Sequence, residues 1–277
     1  NDVSLLITIF SIYAKFTQAP FGQDGTQEEA MSKAADTTLP WPEEDFSIYG
    51  AVDEQPVGRV QRYIARVMDR NWVSIPHVTH HDDIDVTAFE QRRREWNSKN
   101  PNSKRTLLPV MVQAAVATLK QYPQFNSSLS ADGAKVFVKQ FYNIGIAVDV
   151  PDGLLVPVLR NCDTKSVDEI SAELSLISEK ARSTGLSIQE MSGGCFTLSS
   201  LGHIGGTGFT PIINAPEVAI LGITRLQNRF VADADGGPVL RQFLPLSLSY
   251  DHRVINGADA ARFVVAFAAA INTAKFA

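Results

Sequence analysis

The most informative stretch of the chain is Leu246-Ser247-Leu248-Ser249-Tyr250-Asp251-His252-Arg253-Val254-Ile255-Asn256-Gly257. Apolar and polar residues alternate up to Asp251, which predicts a half-buried strand, and Asn256-Gly257 favours a turn before an apolar helix. His252 is therefore expected at a strand end beside a turn. Because an imidazole takes up and returns protons near neutral pH, His252 is a candidate general base. The alternative is a buried structural histidine bonded to backbone.

Composition narrows the class of protein. The chain has 277 residues, 44% of them hydrophobic, and a net charge of −5 from 25 basic and 30 acidic residues. This balance is not typical of nucleic-acid binding or of a polybasic membrane patch, and the apolar segment 3–16 is shorter than the ~20 residues of a membrane span. We therefore expect neither partner. Two cysteines are too few for a disulfide framework or a thiolate zinc site, so a reducing compartment is expected.

The domain organisation follows from a change of composition. Residues 21–45 are rich in Gly, Gln, Glu, Asp, Thr and Pro, so residues 1–45 are predicted to be an N-terminal extension or linker of unknown role. Residues 46–277 are predicted to form the folded domain.

Periodic patterns alternate between helix and strand within that domain. Helices are expected at Gly58–Asn71, ending before Trp72, at Leu107–Leu119, and after the capping box that begins at Ser166. Residues Ile144 to Val150 alternate as a strand, and a hairpin is expected to return through Leu154 to Leu159. The interleaving predicts an α/β fold: a mixed β-sheet with antiparallel pairs and helices packed on one side.

The stretch Gly193–Gly206 concentrates glycine and hydroxyl residues. Phe196 and Leu198 would face the core, which puts Thr197 and Ser199 on the other face of the strand, where a hydroxyl can meet a ligand. The alternative is a serine that bonds to backbone at a strand end. Neither Ser199 nor its neighbour has the flanking glycines of a hydrolase nucleophile elbow.

A histidine-rich stretch, His77 to Asp83, superficially offers metal ligands. Residues three apart in a strand point to opposite faces, so His77 and His80 would not converge, and no metal site is expected. The chain also lacks a phosphate-binding loop and a dinucleotide fingerprint.

Six collinear stretches carry a resemblance to a known family: 72–80, 125–129, 143–149, 193–206, 214–222 and 249–257. In order, they resemble the catalytic core domain of the dihydrolipoamide acyltransferases, with the bacterial-type pyruvate dehydrogenase branch the most similar. The resemblance runs from about Phe46 to Phe263. It implies a chloramphenicol acetyltransferase-like fold.

The family resemblance also implies a reaction. An acetyl group would pass between dihydrolipoamide and coenzyme A by direct attack of a thiol on a thioester, without an acyl-enzyme. His252 would take the thiol proton, and Ser199 would donate a hydrogen bond to the oxyanion. Asn256 stands where many members have Asp, so it can orient a neighbour but supplies no charge. No motif identifies the coenzyme A contacts.

The resemblance implies partners as well. The family forms homotrimers with the site at the subunit interface, and some members join trimers into a larger cage through an apolar ending that the tail after Phe263 does not match. No Asp-Lys-Ala motif occurs, so a lipoyl group would come from a lipoyl domain not present in this chain. The 2-oxo acid dehydrogenase and dihydrolipoamide dehydrogenase components would be further partners, in bacterial cytoplasm or mitochondrial matrix.

Two rival functions remain open from the sequence. The first is a chloramphenicol acetyltransferase, which shares the fold and a similar histidine signature. The second is a scaffold subunit that kept the fold and lost the chemistry.

Overall fold

The computed structural model describes residues 42–151 and 153–275. Residues 42–55 cluster separately from those that begin at Pro56. The first unit contains a short 3-10 turn, Phe46–Ile48, which is capped by the Asp45 carboxylate. The apolar segment 3–16 and most of the predicted extension lie outside the described residues, so the boundary at residue 46 stays a prediction.

The second unit alternates helices and strands. Its α-helices are α1 Arg59–Ser74, α2 Thr87–Lys99, α3 Leu107–Gln121, α4 Val167–Ser183 and α5 Gly257–Thr273. Its strands are β1 His77–Asp85, β2 Ser127–Leu129, β3 Val136–Val138, β4 Ile144–Ile146, β5 Val148–Val150, β6 Gly153–Leu155, β7 Val158–Leu159, β8 Phe196–Ser200, β9 Ala219–Ile223, β10 Gln227–Ala232 and β11 Pro238–Asp251.

Seven of these strands form one mixed sheet. The order is β1-β11-β9-β8-β4-β7, and β10 pairs with β11. Strand β8 is parallel to β4 and β9, whereas the remaining pairs of this sheet are antiparallel. Strands β2 and β3, and β5 and β6, form two small hairpins. The mixed sheet predicted from the alternating patterns is confirmed.

The apolar side chains of the sheet form the core with the helices. Leu198, Leu221 and Leu248 are fully buried in one hydrophobic cluster that also contains most of α3 and the inner face of α5. The helix expected at Leu107–Leu119 is confirmed as α3, and nine of its fifteen residues are buried. Helices α2, α4 and α5 also contact strands, so these helices build the core side of the molecule.

The other face of the sheet is polar. Strand pairing aligns Ser199, Gly222, Ser247 and His81 in one row across β8, β9, β11 and β1. His81 Nδ1 lies 3.0 Å from the Ser247 hydroxyl. Because paired residues share a face, the hydroxyl of Ser199 belongs to a row of polar groups rather than to the core.

A loop rich in glycine covers part of this polar face. The tip of the Phe209 ring lies against Gly222, where a Cβ atom would come within 2.6 Å of the ring. Farther along the loop, the Ile213 carbonyl accepts a hydrogen bond of 2.9 Å from the Asn71 amide. Glycine at position 222 is therefore what lets the aromatic ring pack directly against the sheet.

Two predicted boundaries are wrong. Helix α1 continues past Trp72 to Ser74, because the Asn71 side chain bonds to Ile213 while the Asn71 carbonyl still accepts from the Ile75 N–H. The stretch from Ile144 to Val150 does pair with the return through Leu154 to Leu159, as expected. It is split, however, between two sheets: β4 pairs with β7 in the main sheet, and β5 pairs with β6 in a separate hairpin. Alternation identifies the paired stretch, but it does not show where the chain leaves the main sheet.

Candidate active site

His252 lies directly after β11, in a turn whose backbone is fixed from several sides. The Asp251 N–H donates to the Val218 carbonyl over 2.8 Å, and the His252 N–H donates to the Pro76 carbonyl over 3.1 Å. The Asp251 carbonyl accepts from the N–H groups of Val254 and Ile255, both over 3.0 Å. These bonds hold the residue between β9 and the entry of β1.

An ion pair closes the same turn. The Asp251 carboxylate is almost fully buried and accepts from the Arg253 backbone over 3.0 Å and from its guanidinium over 3.0 and 2.7 Å. Hydrogen bonding to this carboxylate raises the pKa of Arg253. Asp251 and Arg253, the two neighbours of His252 in the chain, thus bond to each other. His252 itself is exposed, and its imidazole has no hydrogen-bond partner within the described part of the chain.

The interpretation of His252 as a buried structural histidine is therefore wrong, and His77 is the residue that fits it. Its Nδ1 lies 2.8 Å from the Ile75 carbonyl, and its Nε2 accepts from the Ile213 N–H over 3.0 Å. These partners assign a neutral ring with the proton on Nδ1. In strand β1, His77 and His80 face opposite sides, and the described residues contain no cluster of three or more His, Cys, Asp or Glu side chains suited to a metal.

Asn256 caps helix α5. Its Oδ1 accepts from the Asp259 N–H over 2.9 Å, and its Nδ2 donates to the Asp259 carboxylate over 2.8 Å. The structure thus places the amide on Asp259 and not on His252. An orienting role for Asn256 in catalysis stays a prediction.

Ser199 lies on β8 as the alternation predicts. Phe196 and Leu198 are fully buried in the core, whereas Ser199 is partly exposed on the polar face. Among the described residues, its hydroxyl has no hydrogen-bond partner, so the alternative of a serine bonded to backbone does not hold here. The neighbouring Ser200 points to the opposite face.

The register gives the separation of these two residues within one chain. Ser199 is level with Ser247 of β11, which is five residues before His252, and β8 is two strands away from β11. With about 3.3 Å per residue and about 4.8 Å per strand, the offset is roughly 16 Å along the sheet and 10 Å across it. His252 and Ser199 therefore cannot act on the same thioester within one chain.

A buried carboxyl that sequence reasoning missed lies next to β8. Glu217 is 3% exposed, and its carboxylate accepts a 2.6 Å hydrogen bond from the Thr197 hydroxyl. Burial raises the pKa of Glu217 to about 7, opposed by the Thr197 bond, the Lys139 charge and a bond from Asn214. The available signal was a single acidic residue inside the otherwise apolar run 215–223.

A surface cavity of about 500 Å³ lies at the β1 and β11 side of the polar row. The residues that line it are His81, Asp82, Asp83, Thr207, Gly208, Pro245 and Leu246. No contact of the described residues identifies which groups would hold coenzyme A.

The family described as 2-oxoacid dehydrogenases acyltransferase (catalytic domain) matches residues 49–276. The chain belongs to this family. Its similarity to curated relatives agrees with that membership: the dihydrolipoyllysine-residue acetyltransferase components of the pyruvate dehydrogenase complexes of Cupriavidus necator and Pseudomonas aeruginosa are 48% identical over 232 residues and 49% identical over 226 residues. Each alignment covers 81% of this chain.

Solved structures of the family share the fold. The dihydrolipoamide acetyltransferase of Azotobacter vinelandii, in whose catalytic mechanism the roles of a serine, a histidine and an asparagine have been investigated, superposes with a TM-score of 0.81 at 45% identity. The cubic core of a pyruvate dehydrogenase multienzyme complex gives the same TM-score at 46% identity. Each match covers 85% of this chain and 98% of the other. The fold expected from the family resemblance is confirmed.

The chain spans about 40% of the length of the curated relatives. None of the helices in the described residues is both long and apolar enough to cross a membrane.

Proposed function

We propose that this chain transfers an acetyl group between dihydrolipoamide and coenzyme A, as the catalytic core of a pyruvate dehydrogenase complex. The observation that carries the proposal is the anchored turn at His252, in a chain that belongs to an acyltransferase family. A general base needs a fixed backbone and an unoccupied side chain, and His252 has both.

In the proposed reaction, the imidazole of His252 removes the proton from the thiol of coenzyme A or dihydrolipoamide. The sulfur attacks the thioester carbonyl carbon, and the carbonyl oxygen becomes a tetrahedral oxyanion that accepts a hydrogen bond from Ser199. The bond from carbon to the leaving sulfur then breaks, and the imidazolium returns its proton to that sulfur. Each proton and electron pair is accounted for without an acyl-enzyme.

The serine, histidine and asparagine of the Azotobacter enzyme support the choice of residues. Its histidine and asparagine are four residues apart, as are His252 and Asn256. The interval from its serine to its histidine is 52 residues, equal to that from Ser200 to His252 and one residue shorter than that from Ser199 to His252. Of these two, only Ser199 lies on the polar face, so we assign the oxyanion donor to Ser199.

The active site is proposed to lie between two copies of the chain. The offset of His252 from Ser199 within one chain requires that one copy supplies the base and its neighbour the donor. We propose a homotrimer in which each interface repeats this arrangement, because a cyclic assembly closes a head-to-tail contact. Assembly of trimers into a cubic cage, as in the pyruvate dehydrogenase core of similar fold, is part of the same proposal.

The proposed substrates and partners follow from the reaction. Coenzyme A is one thiol substrate, and the other is a lipoyl group on a lipoyl domain outside this chain. The 2-oxo acid dehydrogenase and dihydrolipoamide dehydrogenase components complete the complex. Cys162 and Cys195 are buried free thiols, which is compatible with the reducing bacterial cytoplasm or mitochondrial matrix.

A panel of acyl donors tests the proposal. Acetyl, succinyl and isobutyryl coenzyme A are offered with dihydrolipoamide, and the S-acyldihydrolipoamide that forms is measured by mass spectrometry. We expect acetyl transfer to be fastest. A preference for another acyl group would overturn the assignment to pyruvate, and acetylation of chloramphenicol in its place would identify the rival enzyme. No transfer from any donor, with no coenzyme A binding by calorimetry, would leave only the scaffold function.

A further inference from the structure

A cluster of buried polar groups surrounds the Glu217 carboxylate at the start of β8. Its carboxylate is bound by the Thr197 hydroxyl over 2.6 Å and by Asn214. It also lies directly on the backbone of Gly194, where any side chain would collide with it. The Lys139 ammonium donates to the Gly194 carbonyl over 3.2 Å. The buried carboxylate thus bonds to the strand at Thr197 and packs against Gly194, whose carbonyl accepts from Lys139.

The position of this cluster relates it to Ser199. Thr197 and Ser199 are two residues apart on β8, so they share the polar face of the sheet. Thr197 itself is fully buried, whereas Ser199 is partly exposed and has no hydrogen bond of its own in the described residues. The orientation of Ser199 therefore depends on how firmly the strand before it is held.

We propose that Glu217 is a positioning residue for Ser199, acting through Thr197. The carboxylate fixes the polar face of β8, so that the Ser199 hydroxyl points at the position where the oxyanion forms. This inference rests on the proposed acyl transfer. Glu217 does not touch substrate in this scheme, and its effect reaches the reaction only through the strand.

The groups around Glu217 determine the pH at which its carboxyl group is protonated. Lys139 faces it from the segment after β3, and the Cys195 thiol faces both from the start of β8. Burial raises the pKa of Glu217 to about 7 and lowers the pKa of Lys139. Above about pH 7 the Glu217 carboxylate is ionised and accepts a strong hydrogen bond from the Thr197 hydroxyl. Below that pH the carboxyl group is protonated, and its hydrogen bond with Thr197 is weaker.

The main test uses Glu217→Gln, which removes the charge and keeps the shape. We expect kcat to fall roughly 10- to 100-fold with little change in KM, as for a misplaced catalytic group. In the parent, kcat should fall below about pH 7 more steeply than a single ionisation predicts, because protonation of Glu217 adds a second one. In Glu217→Gln this ionisation is absent, so the fall in kcat should follow a single ionisation. Glu190→Gln, at an exposed carboxylate bound to Lys180, is the control and should behave as the parent.

A second pair of variants keeps the test decisive if Glu217→Gln does not fold. Thr197→Val removes the hydroxyl at almost constant volume, and Thr197→Ser keeps it. We expect Thr197→Val to lower kcat like Glu217→Gln, and Thr197→Ser to restore it. Equal kcat in the valine and serine variants, or a parental pH profile in Glu217→Gln, would overturn the proposal.

An activity-independent measurement separates this proposal from the proposed function. Hydrogen exchange of the amides of β8 should be faster in Glu217→Gln than in Glu190→Gln, because the strand loses its anchor. If the parent transfers no acyl group, the proposed function fails and positioning for catalysis fails with it, whatever the exchange shows. If the parent is active and exchange at β8 is the same in both variants, the positioning role alone is refuted.

Discussion

The side chains of His252 and Ser199 have no hydrogen-bond partners among the described residues, while the backbone around each is held firmly. This combination differs from that of His77, whose two ring nitrogens are both occupied. An unoccupied polar side chain on a rigid element can meet a substrate without first breaking a bond within the protein. The contrast between the two histidines is therefore a physical reason to place proton transfer at His252.

Replacing His252 by alanine should lower kcat by about 10²- to 10⁴-fold, the usual contribution of a general base. Steady-state rates of acetyl transfer measure this effect. His80→Ala is a suitable control, because His80 lies on β1 and its side chain forms no hydrogen bond within the described residues. Equal rates in His252→Ala and the parent would remove His252 from the mechanism.

Ser199→Ala should lower kcat by roughly 10²- to 10³-fold, since one donor to the oxyanion is lost. Ser200→Ala makes the same chemical change on the opposite face of β8 and should stay within a few-fold of the parent. The comparison is made at saturating substrate. If kcat fell further in Ser200→Ala than in Ser199→Ala, the oxyanion donor would lie on the opposite face of β8. The assignment to Ser199 would then be wrong.

At this scale, the sequence could predict residues whose neighbours in the chain define their surroundings. His252 and Ser199 stand in local patterns, a strand end and an alternating strand. Glu217 could not be predicted, because Thr197 and Lys139 reach it only through the folded sheet. Thr197 and Lys139 are distant from Glu217 in sequence, so no local pattern indicates these two partners.

Helix α5 begins immediately after the turn that contains His252, and Asn256 belongs to both elements. Its side chain satisfies the Asp259 N–H, one of the unpaired donors in the first turn of the helix. A defect at this cap would therefore reach the turn that holds His252.

Two substitutions separate the structural and the catalytic contributions of Asn256. Asn256→Ala removes the cap and should lower the free energy of unfolding by about 1 kcal/mol, whereas Asn256→Ser keeps an oxygen acceptor and should preserve stability. If the amide also orients a reacting group, both variants lose kcat by about 10-fold, the worth of one hydrogen bond. Thermal unfolding and kinetics together decide, and parental kcat in both would limit Asn256 to capping.

Elements with local start signals were predicted well. The box of Ser166 and Glu169 forms both expected hydrogen bonds at the start of α4. Helix α1 and the strand after Ile144 were not, because their ends depend on contacts with the Ile213 loop and with a separate hairpin. Local chemistry sets the beginnings of these elements, and tertiary contacts set several of their ends.

For the whole molecule, the offset between His252 and Ser199 is the main constraint. The mixed sheet was predictable, because alternating polar and apolar residues and interleaved helices permit few arrangements. The offset was not, because strand order determines it. A resemblance to trimeric acyltransferases led to the same expectation by a different route.

Mixing two inactive variants tests a site shared between copies. When His252→Ala and Ser199→Ala chains are co-expressed in equal amounts, about a quarter of the interfaces of a cyclic trimer should combine an intact histidine with an intact serine. Acetyl transfer should recover to about that fraction of the parental rate. Activity no higher than that of the separate variants would show that each chain works alone, which the register does not allow for these residues.

If the active site is shared between two copies, as proposed, the separation of Ser199 from His252 has a second consequence. A single chain would carry an imidazole with no oxyanion donor opposite it, so it would activate water against an acyl thioester only weakly. Hydrolytic loss of that thioester would then stay low until a second copy has docked.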